Sequence, residues 1–228
     1  MRRIEKAPPP SCIADLKTTP GANWSSVHGD QKKAMRGKLA EEQHGLCAYC
    51  MRRVPEDELR IEHYRSRATD PSQVFSWSNL LGVCEGDVGV QAASDAEAST
   101  PSADLRFHCD NYRGQIKSVA AQELFVDPTR LVDPDKTFRY TLAGVIEPAQ
   151  FVDGARLTEI ETTIARLNLN IWRLKRNRAE VRKRVREWVA REFARRSDGD
   201  ARGELRRWLS RVGEYAEVEH AYLRQKLR

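Results

Sequence analysis

The spacing of hydrophobic residues changes near residue 154, and the change divides the chain into two kinds of structure. Beyond it, Leu157, Ile160, Ile164 and Leu167 fall on one helical face. Leu174, Val181, Val185, Trp188, Val189 and Phe193 do the same in the next segment. Ser197-Asp198-Gly199-Asp200 interrupts the pattern. Leu205, Trp208 and Leu209, then Tyr215, Val218 and Tyr222, predict two further short helices.

Before residue 154 the periodic runs are short. Residues 1–29 are rich in Pro, Gly, Ser and Thr and predict an irregular arm. Asp30 is placed to cap a helix that runs to about His44, with Gly45 as its stop. Cys47 to Cys50 then makes a tight turn, and Glu58 to His63 alternates as a short strand would. Residues 67–79 read as a loop ending in a helical turn, anchored by Phe75 and Trp77. Residues 86–104 are small, polar and acidic, the composition of an insertion. Leu124 to Pro128 and Leu131 to Pro134 read as extended pieces closed by prolines. Phe138 to Thr141 and Val145 to Glu147 flank Leu142-Ala143-Gly144, which is a hairpin signal. The chain shows no internal repeat and no long heptad run.

These elements make an α+β chain with three parts: an arm over 1–29, a domain over 30–153 carrying the insertion 86–104, and an α-helical region over 154–228. At 228 residues it can bury a real core. It has no apolar run long enough for a membrane helix, and its first ten residues lack the apolar stretch of a signal peptide. A cytoplasmic protein is therefore expected, with no membrane partner. In that compartment its five cysteines would be reduced thiols, better suited to metal than to disulfides.

The net charge of +6 is unevenly spread. Residues 154–228 hold 20 Lys/Arg against 11 Asp/Glu, whereas residues 1–153 hold 19 against 22. A polyanion suits such a helical region. Arg173, Lys175, Arg176, Arg178, Arg182, Lys183, Arg184 and Arg186 crowd one segment, which could lie along a phosphate backbone, dock an acidic protein, or be a solvated helix face.

The chemistry is concentrated in four short stretches. Cys47-Ala-Tyr-Cys50 lets two thiolates meet one ion, and Cys84 and Cys109 can complete a tetrahedral zinc set. The pair does not sit in the strand-to-helix context of a redox motif. Cys12 lies in the Pro-rich arm without a partner and reads as an inert thiol. Glu62 and His63 are adjacent. On a bent strand end, the carboxylate could hold a divalent cation while the imidazole takes a proton from water.

Taken together, Cys47-x-x-Cys50, Ile61-Glu62-His63, Ser78-Asn79-Leu80-Leu81-Gly82-Val83-Cys84 and His108-Cys109-Asp110-Asn111-Tyr112-Arg113-Gly114 resemble the HNH endonucleases of the ββα-metal type. The resemblance spans about residues 44–118. The opening ten residues, the Glu-His-Tyr-Arg form of the motif, the hairpin over 137–148 and Leu167-Asn168-Leu169-Asn170 look more narrowly like the PtuB-like HNH proteins. That group includes the nuclease subunit of Septu anti-phage systems, which works beside an ATPase of the ABC/SMC-like type, PtuA.

The resemblance implies a role for each matching residue. His63 would be the general base. Glu62, standing where Asp is usual, would ligate a catalytic Mg²⁺ or Mn²⁺. Asn79 would hold the motif loop and orient His63. Asp110 would be the second ligand of the catalytic ion, with Asn111 and His108 as competitors. Cys47, Cys50, Cys84 and Cys109 would hold structural Zn²⁺, although the family usually closes that site with a second short C-x-x-C and here a long segment intervenes. Arg113 would contact phosphate or lie on the surface. The expected function is hydrolysis of phosphodiester bonds in nucleic acid, DNA before RNA, in a prokaryotic defence system with an ATPase partner. The alternative is a non-catalytic zinc-ribbon module that binds nucleic acid or scaffolds a partner through the same cysteines and the basic helices.

Overall fold

The computed structural model describes residues 1–86 and 107–228, so most of the predicted insertion lies outside the described residues. The architecture is α+β, mainly helical, with two small antiparallel sheets.

Helix α1 (Cys12–Thr18) and a short 3-10 turn at Trp24–Ser26 precede α2 (Gly29–Glu42). The segment expected to be irregular therefore holds a helix. Ile13 and Leu16, one turn apart, bury its inner face, which is enough to order it despite the flanking prolines. Nor does the rest of the segment stand free. The Ile4 amide donates to the Pro128 carbonyl at 2.9 Å, and the Met1 ammonium to the Tyr140 hydroxyl at 2.8 Å.

Strands β1 (Arg60–His63) and β2 (Leu80–Val83) pair antiparallel, with Glu62 opposite Leu81 and His63 opposite Leu80. Helix α3 (Cys109–Gln115) follows β2 in the described chain, giving a β–β–α order. Leu80, Leu81 and Val83 are fully buried and pack with Met35 and Leu39 of α2 in one core. Gln43, just past α2, ties helix to strand: its side chain accepts from the Gly82 amide at 2.7 Å and donates to the Gly82 carbonyl at 2.6 Å. A side chain at position 82 would meet Leu59 at 2.6 Å, so glycine permits this close approach.

Pro134 opens the short helix α4 (Pro134–Thr137) rather than closing an extended piece. Its missing N–H is no loss at a first helical position, and the Asp133 carboxylate caps the turn. Strands β3 (Phe138–Tyr140) and β4 (Ile146–Pro148) form the expected hairpin. Helices α5 (Gly154–Arg166), α6 (Trp172–Arg195), α7 (Asp198–Trp208) and α8 (Ala216–Leu227) follow. Val185, Val189, Leu205, Tyr222 and Leu223 gather α6, α7 and α8 into a second, smaller core. None of the described helices is long and apolar enough to cross a membrane.

The hairpin is locked onto α6. Gly144, at φ +74°, brings its Cα so close to that helix that a Cβ would lie 1.9 Å from the Lys175 carbonyl oxygen. Two cations of the basic segment turn inward to hold it. Arg178, fully buried, donates to the Gly144 carbonyl at 2.8 Å and to that of Leu169, and Arg182 donates to the Tyr140 carbonyl at 2.8 Å. These two are part of the packing, not of a solvated or phosphate-facing row.

Candidate active site and metal centre

The turn after α2 is built to present sulfur. The Cys47 amide donates to the Arg52 carbonyl at 2.8 Å, the Met51 amide donates to the Cys47 carbonyl at 3.0 Å, and Met51 takes a left-handed backbone (φ 65°). The chain thus doubles back with both thiols on one side, and the Ala48 amide pins the turn to β2 through the Gly82 carbonyl at 3.0 Å. Cys84 leaves the end of β2. Cys109 starts α3, itself in a left-handed conformation (φ 56°) with its amide bonded to the Leu167 carbonyl at 2.8 Å.

These four cysteines meet. Their sulfurs all lie within 4.8 Å of one another and are buried. Cys47 and Cys109 are 3.8 Å apart, and Cys50 and Cys84 3.7 Å. Four thiolates at about 2.3 Å from a tetrahedral ion would be separated by about 3.8 Å, so the cage has the dimensions of a zinc-type site. The spacing is far from a disulfide's about 2.05 Å, and all four thiols are free. Hydrogen bonds from Cys109, Cys47 and Cys50 hold the Cys84 thiol well below its usual value, while burial pushes Cys50 and Cys109 well above it. The cluster could hold a metal such as zinc.

Alternation along β1 sends its side chains two ways. Arg60 and Glu62 face α3. The Glu62 carboxylate pairs with the Arg113 guanidinium and lies within hydrogen-bonding reach of the Asp110 carboxyl. Burial, and then the charge of Asp110, push the Glu62 carboxyl well above its ordinary value, with Arg113 pulling the other way. Arg60 approaches Asp110 at 3.7 Å. Two neighbouring carboxylates supply the oxygen ligands a hard cation takes, although both are largely covered here and Glu62 is paired with Arg113. Among the described residues, the cysteines are the group of three or more metal-type ligands, so Glu62 and Asp110 make a pair, not a closed cage.

The three candidates at the start of α3 are sorted by direction. His108 is fully buried on the sulfur side, its Nδ1 3.1 Å from Cys109 Sγ. Asn111 donates from its side chain to the Glu85 carbonyl at 3.1 Å. Asp110 is the one that meets Glu62.

Arg113 is neither on the surface nor free for phosphate. Its Nε donates to the Gln122 carbonyl at 2.7 Å, and its terminal nitrogens reach the His63 and Tyr64 carbonyls at 3.2 and 2.9 Å besides Glu62. It lies one helical turn after Asp110, and that i, i+3 spacing was the available signal.

His63 faces the other side of β1. Its Nε2 lies 3.0 Å from the Val74 carbonyl. A carbonyl only accepts, so Nε2 carries the proton and Nδ1 keeps its lone pair. Burial lowers the imidazole pKa to about 4, so it is neutral near pH 7. Asn79, buried at the entry to β2, accepts the Arg65 amide at 2.7 Å and donates to the Arg65 and Gln73 carbonyls, both at 3.1 Å. It staples the loop that carries Val74. Trp24, from the N-terminal segment, stands edge-to-face with the His63 ring, centroids 4.5 Å apart. Nothing in its local sequence marked that contact.

No family model matches the chain. It is 28% identical over 152 residues to a Vibrio cholerae (serotype O1 biovar El Tor) protein named as the HNH endonuclease of retron Vc95, a match covering 64% of this chain and 62% of the relative. It is 31% identical over 77 residues to the Septu protein PtuB of Bacillus thuringiensis, covering 33% of this chain and 29% of that protein. The chain thus spans less than two thirds of either relative. In its cysteine set, its Glu-His strand and these two relatives, the chain resembles an HNH nuclease of the PtuB kind.

Proposed function

We propose that this chain is a metal-dependent HNH endonuclease. The observation that carries the reading is the division of labour on β1: Glu62 meets Asp110 on one side, while His63 on the other presents an unprotonated Nδ1. Cys47, Cys50, Cys84 and Cys109 would hold Zn²⁺, which would tie the start of α3 to the turn after α2 and the end of β2. Mg²⁺ or Mn²⁺ held by Glu62 and Asp110 would supply charge stabilisation for the phosphate oxygens. His63 Nδ1 takes a proton from water as the water oxygen bonds to phosphorus, and the bond from phosphorus to the leaving sugar oxygen breaks. Nε2 stays fixed on the Val74 carbonyl, so the ring does not turn away from the water. Asn79 acts through that loop as a positioning residue.

The substrate in this reading is nucleic acid, DNA before RNA. The setting is a cytoplasmic anti-phage system in which an ABC/SMC-like ATPase of the PtuA kind governs the nuclease. The resemblance to PtuB supports that setting.

Supercoiled plasmid incubated with the protein and Mg²⁺ or Mn²⁺ tests the chemistry. Wild type nicks, and His63→Ala is slower by about 10²–10⁴-fold. Equal rates for the two refute the catalytic assignment. Stoichiometric co-purification with a neighbour-encoded ATPase tests the partner.

A further inference from the structure

Besides meeting His63, Trp24 borders an open groove of about 990 Å³ that runs past the start of β1, where Leu59, Arg60 and Ile61 line it. Lys32 and Arg36, one turn apart on α2, line it, as do Arg52, Arg53 and Arg60. The Arg67 guanidinium lies 5.9 Å from the Trp24 centroid. Four carboxylates line the groove too: Glu85 faces Arg60 at 3.9 Å, Glu214 accepts the Arg53 amide at 3.2 Å, and Asp57 and Glu58 stand in the turn before β1, so the cations outnumber them five to four. Lys32 and Arg36 form no ion pair among the described residues, which leaves their charge available.

An aromatic ring flanked by cations stacks a nucleobase while the cations grip the neighbouring phosphates. Inside an intact duplex both faces of a base are covered by its neighbours. A half-buried ring set in a groove therefore reaches only a base that is unpaired or extruded. We infer that Trp24 with Lys32 and Arg36 forms a seat for an unpaired nucleotide beside the scissile phosphate, so that the substrate is single-stranded or melted nucleic acid. The inference rests on the nuclease reading, because it takes His63 as the base that defines where the scissile phosphate lies.

Fluorescence anisotropy on His63→Ala protein, with Ca²⁺ in place of Mg²⁺, measures the seat. The probes are a labelled DNA strand, the same sequence as RNA, and the DNA duplex. A single strand of either kind binds about tenfold tighter than the duplex, and the two strand arms show which sugar is taken. Adding Trp24→Ala removes about tenfold of that affinity, whereas Trp24→Phe retains most of it. Lys32→Ala and Arg36→Ala each lower the slope of log affinity against log salt by about 0.7.

Equal affinity for strand and duplex, no binding at all, or a Trp24→Ala protein that binds like its parent would overturn the seat. Should Trp24→Ala prove unfolded, the Trp24→Phe and Lys32/Arg36 measurements decide. Cleavage separates the two readings. A wild type that cuts nothing yet binds strands through Trp24 loses the nuclease reading and keeps the seat. In a cutting enzyme, Trp24→Ala with lower kcat at unchanged KM means that Trp24 only positions His63, and the seat fails.

Discussion

Arg113 and Glu62, 51 positions apart, form a buried ion pair where α3 meets β1. The same guanidinium holds three backbone carbonyls around the end of β1, so one side chain fixes both the charge and the position of the carboxylate. Breaking such a pair leaves an uncompensated buried charge. Arg113→Ala is expected to cost about 3–5 kcal/mol, and Glu62→Gln combined with Arg113→Met distinctly less than Arg113→Ala alone. Urea unfolding measures both, and an Arg113→Ala protein within about 0.5 kcal/mol of wild type contradicts the role.

The four sulfurs predict about one tightly held zinc per chain by metal analysis. Cys84→Ser or Cys109→Ser loses it, and a strong chelator lowers the Tm of wild type but not that of the variant. Ligation is coupled to folding because the unfolded chain has no such cage. A wild type purified without metal, yet fully folded, removes the zinc assignment.

Gly144→Ala forces a methyl group onto the Lys175 carbonyl of α6 and strains a left-handed backbone. A loss of about 3 kcal/mol or more is expected. Gly199→Ala, which has open space around it, serves as the control and stays near wild type. Thermal melts of the two variants distinguish a locked hairpin from a loosely attached one.

His220 is buried on α8 with its pKa lowered from 6.5 to about 4 by burial, then by Arg224 and Arg2; Glu217 stands 3.9 Å away. Between pH 4 and 6.5 the unfolded chain binds the proton that the folded one refuses, so this residue makes stability rise with pH in that window. The buried Glu217 carboxyl, raised from 4.5 by burial, contributes with the opposite sign from that pH upward and so overlaps the same window. His220→Gln is therefore compared with wild type pH by pH. The stability difference shrinks toward pH 4 and reaches a plateau above 6.5. A difference independent of pH rules the titration out.

Much of this architecture was legible because it rests on local spacing. The stripes on α5 and α6, the Gly144 hairpin and the cysteine set are periodicities, turn chemistry and ligand counts. What escaped depends on direction across long separations. Ile13 and Leu16 sit at helical spacing, but the prolines around them hid a helix that tertiary burial stabilises. Arg178 was grouped with a basic run, although it falls on the stripe Leu174, Val181, Val185 and is buried there with them. Arg113 and Trp24 meet β1 from segments whose own sequences say nothing of it. Composition sees a residue's charge; only the packed chain shows which way that charge points.

Cys109 and Asp110 are joined by one peptide bond, yet the sulfur belongs to the four-cysteine cluster and the carboxylate to the proposed reaction centre. Cys109 acts as a peg: once it is seated, Asp110 has its place whatever path the chain takes from Cys84. The cluster thus sets the place of a carboxylate that is not one of its ligands: whatever seats the sulfur also aims the neighbouring oxygen at Glu62.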